Sequence, residues 1–172
     1  KHLECITAKL EEMGVSLVED GDDLVVSRRG ALSRANVKTM PYPGFPTDMQ
    51  PQIAAVLCLA QGTSVLTEGV WDNRYRYVDE FRRLGAQIQV DGKVAVIEGV
   101  SQLTGAPVRA CDLRAGAALV IAGLAAHGVT EIDSIYHIER GYEDIVRKLT
   151  GVGADIRVVI TPDQEEAQAN AG

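Results

Sequence analysis

The segment FRRLGAQIQV at residues 81–90 decides the fold, because the chain carries this pattern three times. KLEEMGVSLV at 9–18 and LTGVGADIRV at 149–158 show the same order of a helix end, a Gly turn and an alternating strand. Between the copies, the apolar spacing predicts a second, more buried helix twice, over about 47–61 and 113–127. A Gly and a short strand follow each of these helices, at 63–67 and 129–133.

Segments of this size, in which helices and strands alternate, predict an α/β fold built from repeated βαβ-type units. The spacing from Gly62 to Arg74 equals the spacing from Gly128 to Arg140, which favours true internal repetition. An ordinary α/β domain with chance similarity is the alternative. We expect residues 1–163 to form a single domain and the polar, Ala-rich residues 164–172 to form a disordered tail. Because the chain opens inside a helical pattern, we also expect it to be a fragment.

The composition excludes several classes of function. With 172 residues, 46% of them apolar, the chain is long enough for one domain with a sizeable core. Its net charge of −7 offers no basic surface, so no nucleic-acid partner is expected. The longest apolar run, residues 115–126, is shorter than the roughly 20 residues that cross a bilayer, so no membrane partner is expected. Three distant cysteines show neither metal-ligand spacing nor a disulfide framework, which indicates no metal site and a reducing cytoplasm.

Two aspartates lie where predicted helices begin. Asp48 stands in FPTDMQ at 45–50, in which Thr47 and Gln50 have the spacing of a capping box. Asp112 stands in CDLRA at 111–115. Asp is a favoured N-cap residue, and the helix dipole stabilises a carboxylate at that end. Both aspartates could therefore be caps without any catalytic role.

Three arginines suggest a site for an anion. Arg74 follows a predicted strand, Arg140 occupies the matching position of the next repeat, and Arg114 lies in the first turn of a helix. A positive charge in the first turn opposes the helix dipole and needs another reason to be there. Strand ends and helix starts of α/β units meet at one sheet edge, where planar guanidinium groups can grip carboxylate or phosphate. Surface salt bridges are the alternative.

Four motifs in register carry a resemblance to a known family. FPTDMQ at 45–50, DNR at 72–74, DLRA at 112–115 and HIERGYE at 137–143 resemble the enolpyruvyl transferases that open peptidoglycan synthesis. The resemblance implies an inside-out α/β barrel domain, with helices inside and sheets outside, from a two-domain enzyme. It also implies transfer of the enolpyruvyl group from phosphoenolpyruvate to the 3-hydroxyl of UDP-N-acetylglucosamine, with release of phosphate. No cofactor is expected, and the reaction would take place in the cytoplasm.

The resemblance assigns roles to individual residues. Asp48 is expected to take the proton from the sugar hydroxyl, and Asp112 to be a second catalytic aspartate. The residues expected to bind substrate are Thr47, Asp48 and Val70 for the sugar nucleotide, and Arg74, Arg114 and Arg140 around phosphoenolpyruvate and its phosphate. The family's acid, a Cys or Asp that protonates the phosphoenolpyruvate methylene, and a Lys near the ligand have no match in this chain. Cys111 is expected to be a small core residue instead.

Two other functions stay open at this point. The sister family that transfers enolpyruvate to shikimate 3-phosphate shares the repeats and the architecture, although the FPTD and HIERGY motifs point away from it. A noncatalytic repeat domain is a function of a different class, which the unmatched acid and Lys keep open. No oligomeric state is predicted.

Overall fold

The computed structural model describes residues 3–160, which form two compact units, residues 3–141 and 142–160. The tail predicted at 164–172 lies outside the described residues. The helices of the first unit are α1 (Glu4–Glu12), α2 (Gln50–Leu57), α3 (Val78–Arg83), α4 (Leu113–Ala125) and α5 (Tyr136–Glu139), with 3₁₀ turns at Thr47–Met49 and Arg74–Tyr77. The second unit contains α6 (Ile145–Gly151).

The strands of the first unit form three small sheets. They are β1 (Val15–Asp20), β2 (Asp23–Arg28), β3 (Val37–Lys38), β4 (Thr63–Thr67), β5 (Gln87–Asp91), β6 (Val94–Glu98), β7 (Pro107–Arg109) and β8 (Glu131–Asp133). A hairpin of β1 and β2 makes the first sheet, the order β3-β4-β6-β5 makes the second, and β7 with β8 makes the third. Within residues 3–160 these sheets stay separate, so the expected barrel is not seen as a closed structure.

Two βαβ units confirm the predicted α/β class. Strands β3 and β4 are parallel and are joined through α2, while β7 and β8 are parallel and are joined through α4. Parallel strands need such a crossover, because a tight turn reverses the chain direction. Each βαβ unit also has an isolated parallel bridge at an equivalent place, shortly before its two strands. The bridge joins Ser33 to Gln61 in the first βαβ unit and Thr104 to His127 in the second.

The Gly turns of the three similar segments also form, since Gly14, Gly85 and Gly153 have φ of 95°, 89° and 97°. Residues with a Cβ rarely adopt such values. The first two turns lead into the hairpins β1–β2 and β5–β6. The strand predicted after the third turn is wrong, because residues 154–160 are irregular. A strand is stabilised by pairing, and no other described segment pairs with these residues.

The core lies between the two crossover helices, α2 and α4, which pack against each other. Ile53, Leu57, Ala118 and Leu119 of these helices are buried. Helix α4 matches its predicted range to within two residues, whereas α2 is shorter than predicted. Its first turn contains Pro51, which lacks an N–H group and fits a helix start, so the preceding residues form a 3₁₀ turn instead. No helix among residues 3–160 is long and apolar enough to cross a membrane.

Candidate functional site

The structure brings together three of the residues that the sequence singled out. Asp48 lies in the 3₁₀ turn before α2, and its Oδ1 forms an ion pair with Nε of Arg114 in the first turn of α4. The same oxygen lies 3.8 Å from Nη2 of Arg74, which follows β4. The Asp48 side chain is 59% exposed, whereas that of Arg74 is only 13% exposed. The two βαβ units thus contribute an acid and two cations to one cluster, the Asp48–Arg74–Arg114 cluster.

Asp48 is not a helix cap, so that alternative is wrong. The predicted capping box also does not form, because neither the 3₁₀ turn nor α2 has a side-chain hydrogen bond at its N-cap. The Thr47 hydroxyl donates to Glu68 instead. Gln50 is buried and accepts a hydrogen bond of 2.8 Å from the Tyr77 hydroxyl. The Asp48 carboxylate therefore faces the two arginines. The hydrogen bonds of Thr47 and Gln50 fix the turn that carries it.

Asp112 is a helix cap, as the capping interpretation predicts. Its Oδ1 accepts hydrogen bonds of 2.9 Å from the Arg114 amide and 2.8 Å from the Ala115 amide. These bonds fix the first turn of α4, on which Arg114 stands. The unfavourable position of a cation at this helix start is offset by the ion pair with Asp48. Asp112 thus orients the cluster through the backbone of α4.

Arg74 has an unusual environment for a cation. Its guanidinium carbon lies 5.9 Å from the centre of the Trp71 ring. The buried Nε of Arg74 has no hydrogen-bond partner within residues 3–160. A buried donor without a partner costs about 1–3 kcal/mol. The preceding residue, Asn73, has a left-handed backbone with φ of 55°, which directs the chain into the 3₁₀ turn. Arg74 is thus a largely buried cation whose Nη2 lies beside the exposed carboxylate of Asp48.

Glu68 is the residue of this region that the sequence analysis missed. It directly follows β4 and is only 1% exposed. Its carboxylate accepts hydrogen bonds from the hydroxyls of Thr39 and Thr47 and from the amides of Val70 and Trp71. The sequence feature that could have pointed to Glu68 is a charged residue between an apolar strand and a glycine. At Gly69 a Cβ would lie 2.3 Å from the Thr39 carbonyl oxygen, which shows how closely the two segments approach.

Thr47 and Val70 are thus both bound to Glu68, while Val70 keeps an exposed side chain. Arg140 follows α5 directly as its C-cap and is exposed. Its side chain makes no ion pair or hydrogen bond with any residue from 3 to 160. The structure therefore does not bring Arg140 into the Asp48–Arg74–Arg114 cluster.

Burial raises the pKa values of one phenol and two thiols, those of Tyr75, Cys58 and Cys111. Burial, and next the Glu68 carboxylate, raise the pKa of Tyr75 to about 12. Burial raises the pKa of Cys58 to about 12 as well. The pKa of Cys111 is raised by burial first and then by the neighbouring Asp112. Since the thiolate is the reactive form of cysteine, this raised pKa makes Cys111 a poor nucleophile. Within residues 3–160, no three His, Cys, Asp or Glu side chains are grouped to hold a metal ion.

Comparisons with known proteins identify the family of the chain. The family model described as EPSP synthase (3-phosphoshikimate 1-carboxyvinyltransferase) matches residues 1–149. The chain belongs to this enolpyruvyl transferase family. Among solved structures, the enolpyruvyl transferase NikO from Streptomyces tendae superposes with a TM-score of 0.83 and 34% identity, over 93% of this chain and 37% of that one. An EPSP synthase from Acinetobacter baumannii, at 21% identity and a TM-score of 0.61, shares the fold.

Relatives of higher identity carry a different name within the family. A UDP-N-acetylglucosamine 1-carboxyvinyltransferase of Caldanaerobacter subterraneus subsp. tengcongensis is 58% identical over 156 residues, which are 90% of this chain and 37% of that relative. A protein of the same name from Desulfofundulus thermocisternus is 51% identical over 171 residues, which are 99% of this chain and 70% of that relative. The chain therefore spans a little over a third of the first of these relatives.

Proposed function

We propose that the protein containing this chain transfers the enolpyruvyl group of phosphoenolpyruvate to the 3-hydroxyl of UDP-N-acetylglucosamine. The observation that carries the proposal is the pairing of Asp48 with Arg74 and Arg114, from two βαβ units. One carboxylate beside two guanidinium groups fits a reaction that removes a proton from a hydroxyl and expels phosphate. We also propose that this reaction belongs to peptidoglycan synthesis and takes place in the cytoplasm.

In this proposal Asp48 is the general base. As the sugar O3 bonds to C2 of phosphoenolpyruvate, its proton passes to the Asp48 carboxylate, and the methylene carbon gains a proton to give a tetrahedral adduct. One methyl proton then passes back to the group that supplied it, the C–H electron pair forms the new C=C bond, and the C2–O bond to phosphate breaks and releases phosphate. The exposure of Asp48 suits this role, because a sugar hydroxyl must come within about 3 Å of the base. The donor of the methylene proton is proposed to lie outside this chain.

The arginines are proposed to bind phosphoenolpyruvate. Arg74 and Arg114 supply planar donors that can hold carboxylate or phosphate oxygens with two bonds each. The position of Arg74 supports this role, since its Nη2 lies 3.8 Å from the exposed Asp48 carboxylate. Asp112 is proposed to act with them by fixing the start of α4 and to serve as a second catalytic aspartate. Arg140 is proposed to contact the phosphate once both substrates are bound.

The acceptor is proposed to be the nucleotide sugar. Thr47, Asp48 and Val70 are proposed to contact it, the last through its backbone. Identities of 51–58% to relatives named for that acceptor favour it over shikimate 3-phosphate. We also propose that the complete domain forms the inside-out α/β barrel. A purely noncatalytic role does not explain why a partly buried arginine with an unpaired donor lies beside Asp48.

The test is phosphate release by the full-length protein. We expect phosphate to appear when phosphoenolpyruvate and UDP-N-acetylglucosamine are both present and to be absent when the sugar nucleotide is left out. An Asp133→Asn variant is a matched control, because Asp133 also pairs with an arginine, Arg109, but lies in β8 outside the cluster. Release independent of the sugar nucleotide, or no release at all, would contradict the proposed transfer.

A further inference from the structure

Glu68 carries an arrangement that the proposed reaction does not yet use. Burying an ionised carboxylate costs several kcal/mol unless hydrogen bonds compensate for the lost water. Glu68 is 1% exposed and makes no ion pair within residues 3–160, so its hydrogen bonds alone compensate. Oε1 accepts from the Thr39 hydroxyl at 2.7 Å, the Thr47 hydroxyl at 3.0 Å, the Val70 amide at 2.9 Å and the Trp71 amide at 3.0 Å. Oε2 accepts from the Thr47 hydroxyl at 3.1 Å.

These donors belong to three separate segments. Thr39 follows β3, Thr47 opens the 3₁₀ turn that carries Asp48, and the two amides begin the loop that leads to Arg74. Thr39 closes the arrangement, since its hydroxyl also accepts from the Gly69 amide at 2.8 Å. One buried carboxylate therefore connects the turn of the base with the loop of the cation.

We propose that Glu68 is a positioning residue that sets the distance between Asp48 and Arg74. This inference rests on the proposed function for its effect on rate, whereas its effect on the loop does not depend on that function. Glu68 reaches Asp48 through Thr47 and reaches Arg74 through Val70 and Trp71, so it acts without touching substrate. A displacement of about 1 Å at a reacting group can lower a rate by about 10²-fold.

Glu68→Asp is the informative variant, because it keeps the charge and shortens the side chain by about 1.5 Å, the length of one carbon–carbon bond. A shortened carboxylate cannot keep contacts of 2.7–3.1 Å with all three segments. Glu68→Gln is the rescue variant, since its amide oxygen can replace Oε1 at the original reach. Glu98→Asp is the matched control, because Glu98 is exposed at the end of β6.

The first measurement uses the 172-residue chain and its single tryptophan, Trp71. We expect Glu68→Asp to lower the fluorescence anisotropy of Trp71, because its backbone loses a hydrogen-bond acceptor. Glu68→Gln should recover most of the anisotropy and Glu98→Asp should leave it unchanged. Circular dichroism on the same samples confirms that each variant is folded. Equal anisotropy in the wild type and in folded Glu68→Asp would overturn the proposal. If Glu68→Asp does not fold, the same comparison is made with Thr39→Val, which removes one donor to Oε1.

The second measurement is a double-mutant cycle in the full-length protein. We expect Glu68→Asp to lower kcat by about 10²-fold, and Glu68→Gln to restore most of it. Because the effect passes through the base, it should shrink clearly in an Asp48→Asn background. Independent effects would instead multiply to within about twofold, and that outcome would overturn the positioning role. If the wild-type protein has no transferase activity, the proposed function is wrong. The positioning role of Glu68 is then still tested by the anisotropy measurement, which does not depend on activity.

Discussion

Replacing Asp48 with Asn should separate catalysis from stability. The amide keeps the shape of the side chain and can still accept a hydrogen bond from Arg114, but it cannot take a proton from a sugar hydroxyl. Loss of a general base typically lowers a rate by about 10²–10⁴-fold. The fold should change little, because the Asp48 side chain is 59% exposed and its ion pairs are worth only about 0.2–1 kcal/mol each.

A loss of about 1 kcal/mol lowers the Tm of a domain of this size by about 2–4 °C. The assay is therefore kcat for phosphate release and Tm by calorimetry, both on the full-length Asp48→Asn variant. Asp133→Asn again serves as the control, with kcat and Tm close to those of the wild type. A variant with kcat within about threefold of wild type, far less than the loss of a base should cause, would remove Asp48 from the mechanism.

Three further predictions concern the chain itself. Asp112→Ala should lower Tm by about 2–4 °C, because it removes a helix cap worth about 1 kcal/mol. Asp112→Asn can still cap and should keep the wild-type Tm. Equal Tm values for the two variants would contradict the capping role. Cys58 should react with a thiol reagent at pH 8 only after unfolding, because its pKa of about 12 lies far above that pH. Rapid labelling of Cys58 in the folded protein would show that it is not buried. The isolated 172-residue chain should fold by circular dichroism but release no phosphate above background from phosphoenolpyruvate and UDP-N-acetylglucosamine.

Stability should also depend on alkaline pH. Burial holds the Tyr75 hydroxyl and the Cys58 thiol in their neutral forms, with folded pKa values of about 12 against ordinary values of 10.0 and 9.0. Groups with raised folded pKa values contribute stability that is complete below their ordinary pKa and is lost as pH rises toward the folded value. Tm should thus fall between pH 9 and 12, and a Tm that stays constant over this window would contradict the burial of both groups.

Features encoded by local spacing could be predicted from the sequence. The Gly turns at Gly14 and Gly85 follow from glycine's access to positive φ, and the crossover helix α4 follows from its apolar run. The strand after Gly153 could not be predicted correctly, because strand formation depends on a pairing partner rather than on alternation alone.

The candidate site was predicted in its residue types but not in its contacts. Asp48 and Asp112 have the same local signature at a helix start, yet only Asp112 caps a helix. The difference lies in Arg114, 66 positions from Asp48 along the chain, which local spacing cannot reveal. Glu68 escaped prediction for a related reason, since two of its four donors, the hydroxyls of Thr39 and Thr47, lie 29 and 21 positions away along the chain.

The most direct test of the central claim is a competition between the two acceptors. The full-length protein is incubated with phosphoenolpyruvate and equal concentrations of UDP-N-acetylglucosamine and shikimate 3-phosphate, and the products are identified by mass spectrometry and NMR. We expect an enolpyruvyl ether on the 3-oxygen of the nucleotide sugar and unmodified shikimate 3-phosphate. An enolpyruvyl group on shikimate 3-phosphate, with the nucleotide sugar unchanged, would contradict the account.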